Sequence, residues 1–233
     1  MARPRAFDSG TAALLCPNAH RGLLLDKYLD PNAADVPRLE MLKGLSGKLA
    51  GNAYRLAFQR WRREWDTGAT DRLCRLGSVS GRLALGLGAA NVYENGLRLH
   101  PSYGVPFIPA SSWKGALQAR VAGEQYCPYL FGTQTDRGAI KFQDAWAEPD
   151  SCSLVLDVLT PHHQKYYAGE NAPPTDFDSP VPIHLLTITG KFLFIADTPD
   201  QRCRNFVEKL LLDVTQVDGL GAKRSSGYGR FEF

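Results

Sequence analysis

Two glycine–hydrophobic–glycine triplets, Gly219-Leu220-Gly221 and Gly227-Tyr228-Gly229, stand five residues apart near the end of the chain and restrict its fold more than any other stretch. Glycine tolerates positive φ and has no Cβ, so such a loop can turn sharply and lay its N–H groups against a neighbour. Between the triplets lie Ala222, Lys223, Arg224, Ser225 and Ser226, two cations and two hydroxyl donors. Groups of this kind grip a phosphate backbone without reading sequence. The competing reading is a tight turn that needs its glycines and exposes its lysine and arginine by default. A dinucleotide-binding glycine loop follows a strand and opens a helix, whereas this one follows a helical pattern and opens a final strand. The G-x-x-x-x-G-K-[S/T] phosphate loop is absent from the sequence.

The rest of the pattern fits around that loop. Leu45, Leu49, Ala53, Leu56, Ala57 and Trp61 recur at three-to-four spacing, which predicts an amphipathic helix ending near Trp65, with Arg55, Arg60, Arg62 and Arg63 on its polar side. Residues 75–87 alternate as a strand, and Gly86, Gly88, Ala89 and Ala90 let the backbone run close to something else. Ser111 or Ser112 is placed to cap a helix whose apolar face is Trp113, Ala116, Leu117 and Val121. Short strands are expected over 138–143 and 153–158, and a hairpin over 183–196 that turns at Thr189-Gly190-Lys191. Thr198-Pro199 opens a helix with the stripe Cys203, Phe206, Val207, Leu210, Leu211 and Val214, and a strand closes the chain over 228–233. This order predicts an α+β fold with helices on one face of an antiparallel sheet, in the β-α-β-β-α-β ferredoxin-like arrangement. Residues 160–182 are rich in Pro, Asp and aromatics and show no period.

Composition narrows the class. The 233 residues suit one domain, and 44% hydrophobic residues supply a core. Five scattered cysteines form no C-x-x-C pair, which favours a reducing, cytoplasmic setting over a disulfide scaffold. Neither a signal peptide nor a membrane-spanning helix is expected, because the apolar runs 83–92 and 185–196 are too short or carry a lysine. Net charge is only +3, but it is unevenly spread. Between Arg38 and Arg75 nine basic residues face four acidic ones, whereas 142–200 holds nine acids against Lys165 and Lys191. A polyanion is repelled from much of that second region. No metal constellation appears, since the acids are unpaired and the adjacent His162 and His163 lack helical spacing. Neighbouring strand residues also face opposite sides, so that pair is poorly placed for joint acid–base work on one phosphate.

Taken together, the glycine loop and three further stretches resemble the RAMP family, the repeat-associated RNA-binding proteins of CRISPR systems. The stretches are Asn91 through Gly96-Leu97-Arg98-Leu99-His100, then Tyr103-Gly104-Val105-Pro106-Phe107-Ile108-Pro109, then Ser111-Ser112-Trp113-Lys114-Gly115-Ala116-Leu117. They look like the signature of one subgroup, the sixth RAMP subunit of the type III-B (Cmr) effector complex, as does Asp157-Val158-Leu159-Thr160-Pro161-His162-His163. The resemblance runs over about 77–233, roughly two-thirds of the chain.

It implies an RRM-like RAMP domain over 76–233, an N-terminal helical extension over 1–75, and an inserted loop or thumb at about 159–182. It further implies a non-catalytic subunit without cofactor or metal that holds the 3′ part of guide (CRISPR) RNA and the guide–target RNA duplex. Such a subunit caps the filament between the backbone RAMP subunit and the first-numbered RAMP subunit. The implied RNA contacts are Ser111, Ser112, Lys114 and Arg120, with Gly219, Gly221, Ala222, Lys223, Arg224, Ser225, Ser226 and Gly227. His162, His163, Lys165, Tyr166 and Tyr167 are the residues expected to stack on bases or to pack beneath a neighbouring subunit. Two alternatives stay open at this point, an RNA-processing endoribonuclease of the same superfamily and a scaffold-only assembly subunit.

Overall fold

Residues 192–196 read Phe-Leu-Phe-Ile-Ala, with no polar residue to turn toward water, and all five side chains are buried. A strand of this kind must be covered on both faces, and the rest of the fold supplies the two covers. The computed structural model describes residues 20–27, 35–48, 51–89, 96–160, 169 and 182–233. Helices α1 (Arg21–Lys27) and α2 (Asp35–Leu45) lead through strand β1 (Gly47–Lys48) to α3 (Asn52–Trp65). They are followed by β2 (Arg72–Ser80), β3 (Phe107–Ile108), α4 (Ala110–Arg120), α5 (Cys127–Phe131), β4 (Lys141–Phe142) and β5 (Ala145–Ala147). The last elements are β6 (Ser153–Leu159), β7 (Ile183–Thr189), β8 (Lys191–Asp197), α6 (Gln201–Asp213) and β9 (Arg230–Glu232).

The main sheet runs β3-β5-β8-β2-β9, with β4 pairing further along β8, and its pairings are antiparallel. On one face, Trp113 of α4 meets Phe194 edge-on at 5.5 Å, and Glu208 of α6 pairs with Arg75 of β2 at 2.5 Å. On the other face, Trp61 of α3 stacks on Trp146 of β5 at 4.8 Å, and Tyr54 donates to the Ala147 carbonyl. The helices therefore lie on both faces, not on one as the sequence pattern implied, because the alternate side chains of β8 are apolar on both sides. The open sheet face that an RRM-like domain offers to bases is covered here by α3. Leu24, Leu42, Leu45, Tyr54 and Phe58 join the same apolar cluster as the sheet, which ties the N-terminal helices to it.

Three further expectations are corrected. Residues 183–196 are not a hairpin: β7 pairs with β6 in a second sheet of order β1-β6-β7, while β8 pairs with β2 and β5. Thr189-Gly190-Lys191 is a kink that passes the chain from one sheet to the other. A Cβ on Gly190 (φ +123°) would come within 2.6 Å of the Cys152 Cα and Sγ, so only glycine fits. Secondly, α3 starts at Asn52 and buries Tyr54, Ala57 and Phe58, leaving Leu56 59% exposed. Ala57 and Trp61 of the expected stripe do face the core, but Ala53 and Leu56 do not, and Tyr54 and Phe58 take their place. Thirdly, neither Ser111 nor Ser112 caps α4, where Pro109 takes the N-cap position.

Candidate nucleic-acid interface

The glycine loop is fastened on both flanks. A π-helical turn, Val214–Asp218, follows α6 and delivers Gly219, whose amide donates to the Val214 carbonyl. Leu220 and Gly229 close the neck, with the Leu220 amide donating to the Gly229 carbonyl at 2.7 Å. The Gly229 amide then donates to the Arg82 carbonyl at 2.7 Å, and the Ala222 amide to the Ala84 carbonyl at 2.8 Å. A Cβ on Gly221 would strike the Ala84 carbonyl oxygen and one on Gly229 the Leu220 carbonyl oxygen, both at positive φ, so glycine is needed at each. Beyond this neck the tip is a single 3-10 turn, Arg224–Ser226, flanked by Lys223 (φ 57°) and Gly227 (φ 87°) in left-handed conformation.

Lys223, Arg224, Ser225 and Ser226 are exposed, Ala222 is half-buried, and neither cation has a carboxylate partner among the described residues. The acids nearby are engaged. Asp157 of β6 accepts from the Tyr228 hydroxyl at 3.0 Å and lies 3.9 Å from the Arg82 guanidinium. Burial and the hydrogen bond to Asp157 push the Tyr228 phenol up, so it remains a donor. Asp218, just before the loop, lies 3.7 Å from Arg120 at the end of α4. The loop thus presents a positive tip on a neck whose negative charges are already paired.

The start of α4 is built differently. Asp144, between β4 and β5, accepts from the Ala110 amide at 2.7 Å, so this helix N-terminus already holds a carboxylate. Trp113 is fully buried and donates through Nε1 to the Gln143 carbonyl, while Ser111 and Ser112 are exposed and Lys114 is half-buried. Eight or nine residues of helix rise about 12–13 Å, which separates Ser111 and Ser112 from the Arg120–Asp218 contact. The structure therefore brings Arg120 to the stem of the glycine loop and leaves Ser111 and Ser112 at the far end of α4, with Lys114 midway along it. His162, His163, Lys165, Tyr166 and Tyr167 lie outside the described residues, as do 91–95 of the RAMP-like signature.

Arg82, Asp157 and Tyr228 were not singled out by sequence as a set. Arg82 and Tyr228 flank glycine-rich segments and Asp157 lies 71 residues away, so no spacing rule joins them. Among the described residues no group of three or more His, Cys, Asp or Glu is arranged to hold a metal, and no helix is long and apolar enough to cross a membrane. Of the described histidines, His20 bonds to the Pro101 carbonyl, and His100 packs against Tyr103, Phe107 and Trp146.

The chain thus combines an antiparallel sheet between helices with a pinned glycine loop that carries a cationic tip. A family model of the RAMP superfamily matches residues 68–232, and the chain belongs to that superfamily. Within it, the chain is 30% identical over 259 residues to the CRISPR system Cmr subunit Cmr6 of Pyrococcus furiosus, an alignment spanning 78% of this chain and 74% of that one. It is 31% identical over 148 residues to the corresponding Cmr6 of Saccharolobus solfataricus, covering 60% of this chain and about half (49%) of the relative. A chain in the cryo-EM structure of the type III-B Cmr-beta complex bound to cognate target RNA shares the fold. Its TM-score is 0.67 over 85% of this chain and 71% of that chain, at 23% identity.

Proposed function

We propose that this chain is a non-catalytic, RNA-binding subunit of a type III-B CRISPR effector complex, holding the 3′ part of the guide RNA and the adjoining guide–target duplex. The observation that carries the reading is the exposed Lys223–Arg224–Ser225–Ser226 tip, held on a rigid neck and free of carboxylate partners among the described residues. Such a tip binds phosphates by charge and hydroxyl donation and is indifferent to base identity. Similarity to the two Cmr6 proteins supports membership of the same kind of complex, and the neighbours in this proposal are the backbone and first-numbered RAMP subunits. The strand order β9-β2-β8-β5, with α4 and α6 as crossovers, supports a ferredoxin-like core over about 76–233, carrying an insertion at about 159–182 and an N-terminal extension.

A cytoplasmic setting follows from that role. The non-catalytic part of the proposal rests on the likeness to the Cmr6 subunits. The test is binding of labelled guide-length RNA across a salt series, followed by a denaturing gel, for the wild type and a Lys223→Glu/Arg224→Glu variant. Salt-sensitive binding that is lost in the variant, with the RNA intact, is the expected result. Cleavage at one position would make the chain a ribonuclease, and equal binding by both proteins would leave a scaffold.

A further inference from the structure

The segment 82–85 forms a rail between two surfaces. The carbonyls of Arg82 and Ala84 accept from Gly229 and Ala222 of the glycine loop. The residues between them turn the other way: Leu83 exchanges hydrogen bonds with Ile188 at 2.8 and 2.9 Å, and the Leu85 carbonyl accepts from the Arg98 amide at 3.1 Å. The loop and Arg98 therefore flank one extended segment on opposite sides. With neighbouring backbones about 4.8 Å apart, their main chains lie about 10 Å from each other.

Arg98 is exposed, and its guanidinium sits 5.7 Å from the centroid of the buried Phe107 ring. Among the described residues it has no carboxylate partner. A guanidinium held by an aromatic face keeps its hydrogen-bond donors for another ligand, and its planar fork matches a phosphate. The other arginines near the loop differ: Arg82 lies by Asp157, Arg120 by Asp218, and Arg230 bonds to the Gln216 carbonyl. Exposed arginines elsewhere, such as Arg60 and Arg63 on α3, share no backbone contact with the rail.

We propose that Arg98 is a second RNA-phosphate contact, so that the bound strand crosses the 82–85 rail from the Lys223–Arg224 tip to the Phe107-backed guanidinium. This rests on the RNA-binding reading above and adds to it a direction and a residue. A protein partner at Arg98 is the competing occupant, and the experiment separates the two.

The experiment measures anisotropy of labelled single-stranded, guide-length RNA with the full chain between 50 and 300 mM salt, roughly the range over which phosphate contacts are lost. Arg98→Ala and Arg98→Gln should each weaken binding about 5–10-fold and lower the log–log salt slope by about 0.7, one single-strand phosphate contact. Arg98→Gln keeps a planar group on Phe107, so loss in both variants reports charge and not packing. Arg98→Lys should restore the slope with only part of the affinity, and Arg63→Ala should change neither quantity. An unchanged slope in Arg98→Ala and Arg98→Gln, with Lys223→Glu/Arg224→Glu still defective, overturns the role of Arg98 and leaves the RNA-binding reading standing. The same holds if the Arg98 variants bind RNA normally but fail to enter the assembled complex, which makes Arg98 a protein contact. If Lys223→Glu/Arg224→Glu also binds normally, the RNA-binding reading itself falls.

Discussion

The glycine loop and the start of α4 both carry the ingredients of a phosphate site, and the structure treats them in opposite ways. The loop uses its glycines to bring backbone against backbone at Arg82 and Ala84, which leaves Lys223 and Arg224 outside with no carboxylate partner among the described residues. The α4 start uses its serines for little, because the Asp144 carboxylate already occupies the Ala110 amide and Trp113 anchors the turn inward. A helix N-terminus is a limited resource: once a carboxylate sits there, a phosphate meets repulsion in place of a vacancy. At the other end of the same helix, Arg120 is drawn to Asp218 and so serves the loop's stem. On this difference rests the proposal that the loop binds phosphate while α4 anchors the fold.

The largest expected effect breaks the loop itself. Gly229→Ala drives a Cβ into the Leu220 carbonyl oxygen at φ +79° and should cost about 3 kcal/mol or more. For a chain of this size that lowers Tm by roughly 6–12 °C, read by thermal denaturation. Gly227→Ala has the same backbone handedness but open space around the Cβ, and should cost only about 1 kcal/mol. Equal losses at the two positions would mean that the neck is not pinned as described.

Charge reversal sharpens the comparison next. Lys223→Glu/Arg224→Glu should reduce RNA affinity about 10–100-fold at 100 mM salt, about 1.4–2.8 kcal/mol. Lys114→Glu, midway along α4 and half-buried, should change it less than about 3-fold. The expected ratio between the two variants is therefore large, and a loss as great for Lys114→Glu would restore the α4 start as a phosphate site despite Asp144.

How much of this was legible in the sequence depends on range. The glycine triplets, the α4 face of Trp113, Leu117 and Val121, and the α6 stripe are local patterns, and each appears where its spacing placed it. What the sequence hid is long-range. Asp144 reaches the Ala110 amide across 34 residues, and no local rule connects them. Gly190 between two apolar strands has the pattern of a hairpin turn, and only the pairing of β7 with β6 and of β8 with β2 reveals a kink. The two-sided burial of β8 was written in its unbroken apolar run, which an expectation of helices on one face overlooked. In the candidate site, the cations at the tip were visible, but the Asp157–Tyr228 bond that braces it was not.

Smaller effects test the α4 side. Asp144→Ala removes the acceptor for Ala110 and should cost about 1 kcal/mol, with RNA affinity unchanged. Gly115→Ala should act in the opposite direction. Gly115 is exposed within α4, its φ is not positive, and an added Cβ meets nothing within 4 Å, so alanine should stabilise by about 0.5–1 kcal/mol. Melting curves measure both. Gly115→Ala also separates two roles, since a loss of RNA affinity in a more stable protein would mean that a ligand approaches the α4 backbone there.

The smallest effect is a dependence on pH that belongs to the α3 face of the sheet, away from the loop. His100 packs among Tyr103, Phe107 and Trp146, and burial lowers its pKa, an effect opposed by Asp144 and reinforced by His20. Its Nδ1 accepts from the Ser102 amide at 3.1 Å, a bond that the neutral ring alone can accept. Because the folded pKa lies below the ordinary histidine value of about 6.5, the stabilisation is complete above that pH and is lost as the pH falls through it. Tm should therefore decline between about pH 7 and pH 5, and His100→Phe, which keeps the ring packing without the titration, should flatten that decline. The Lys223–Arg224 tip holds no histidine, so RNA affinity at fixed salt should stay nearly constant while Tm falls. If affinity and Tm fell together and His100→Phe rescued both, the division between a binding loop and the aromatic packing under α3 would have to be given up.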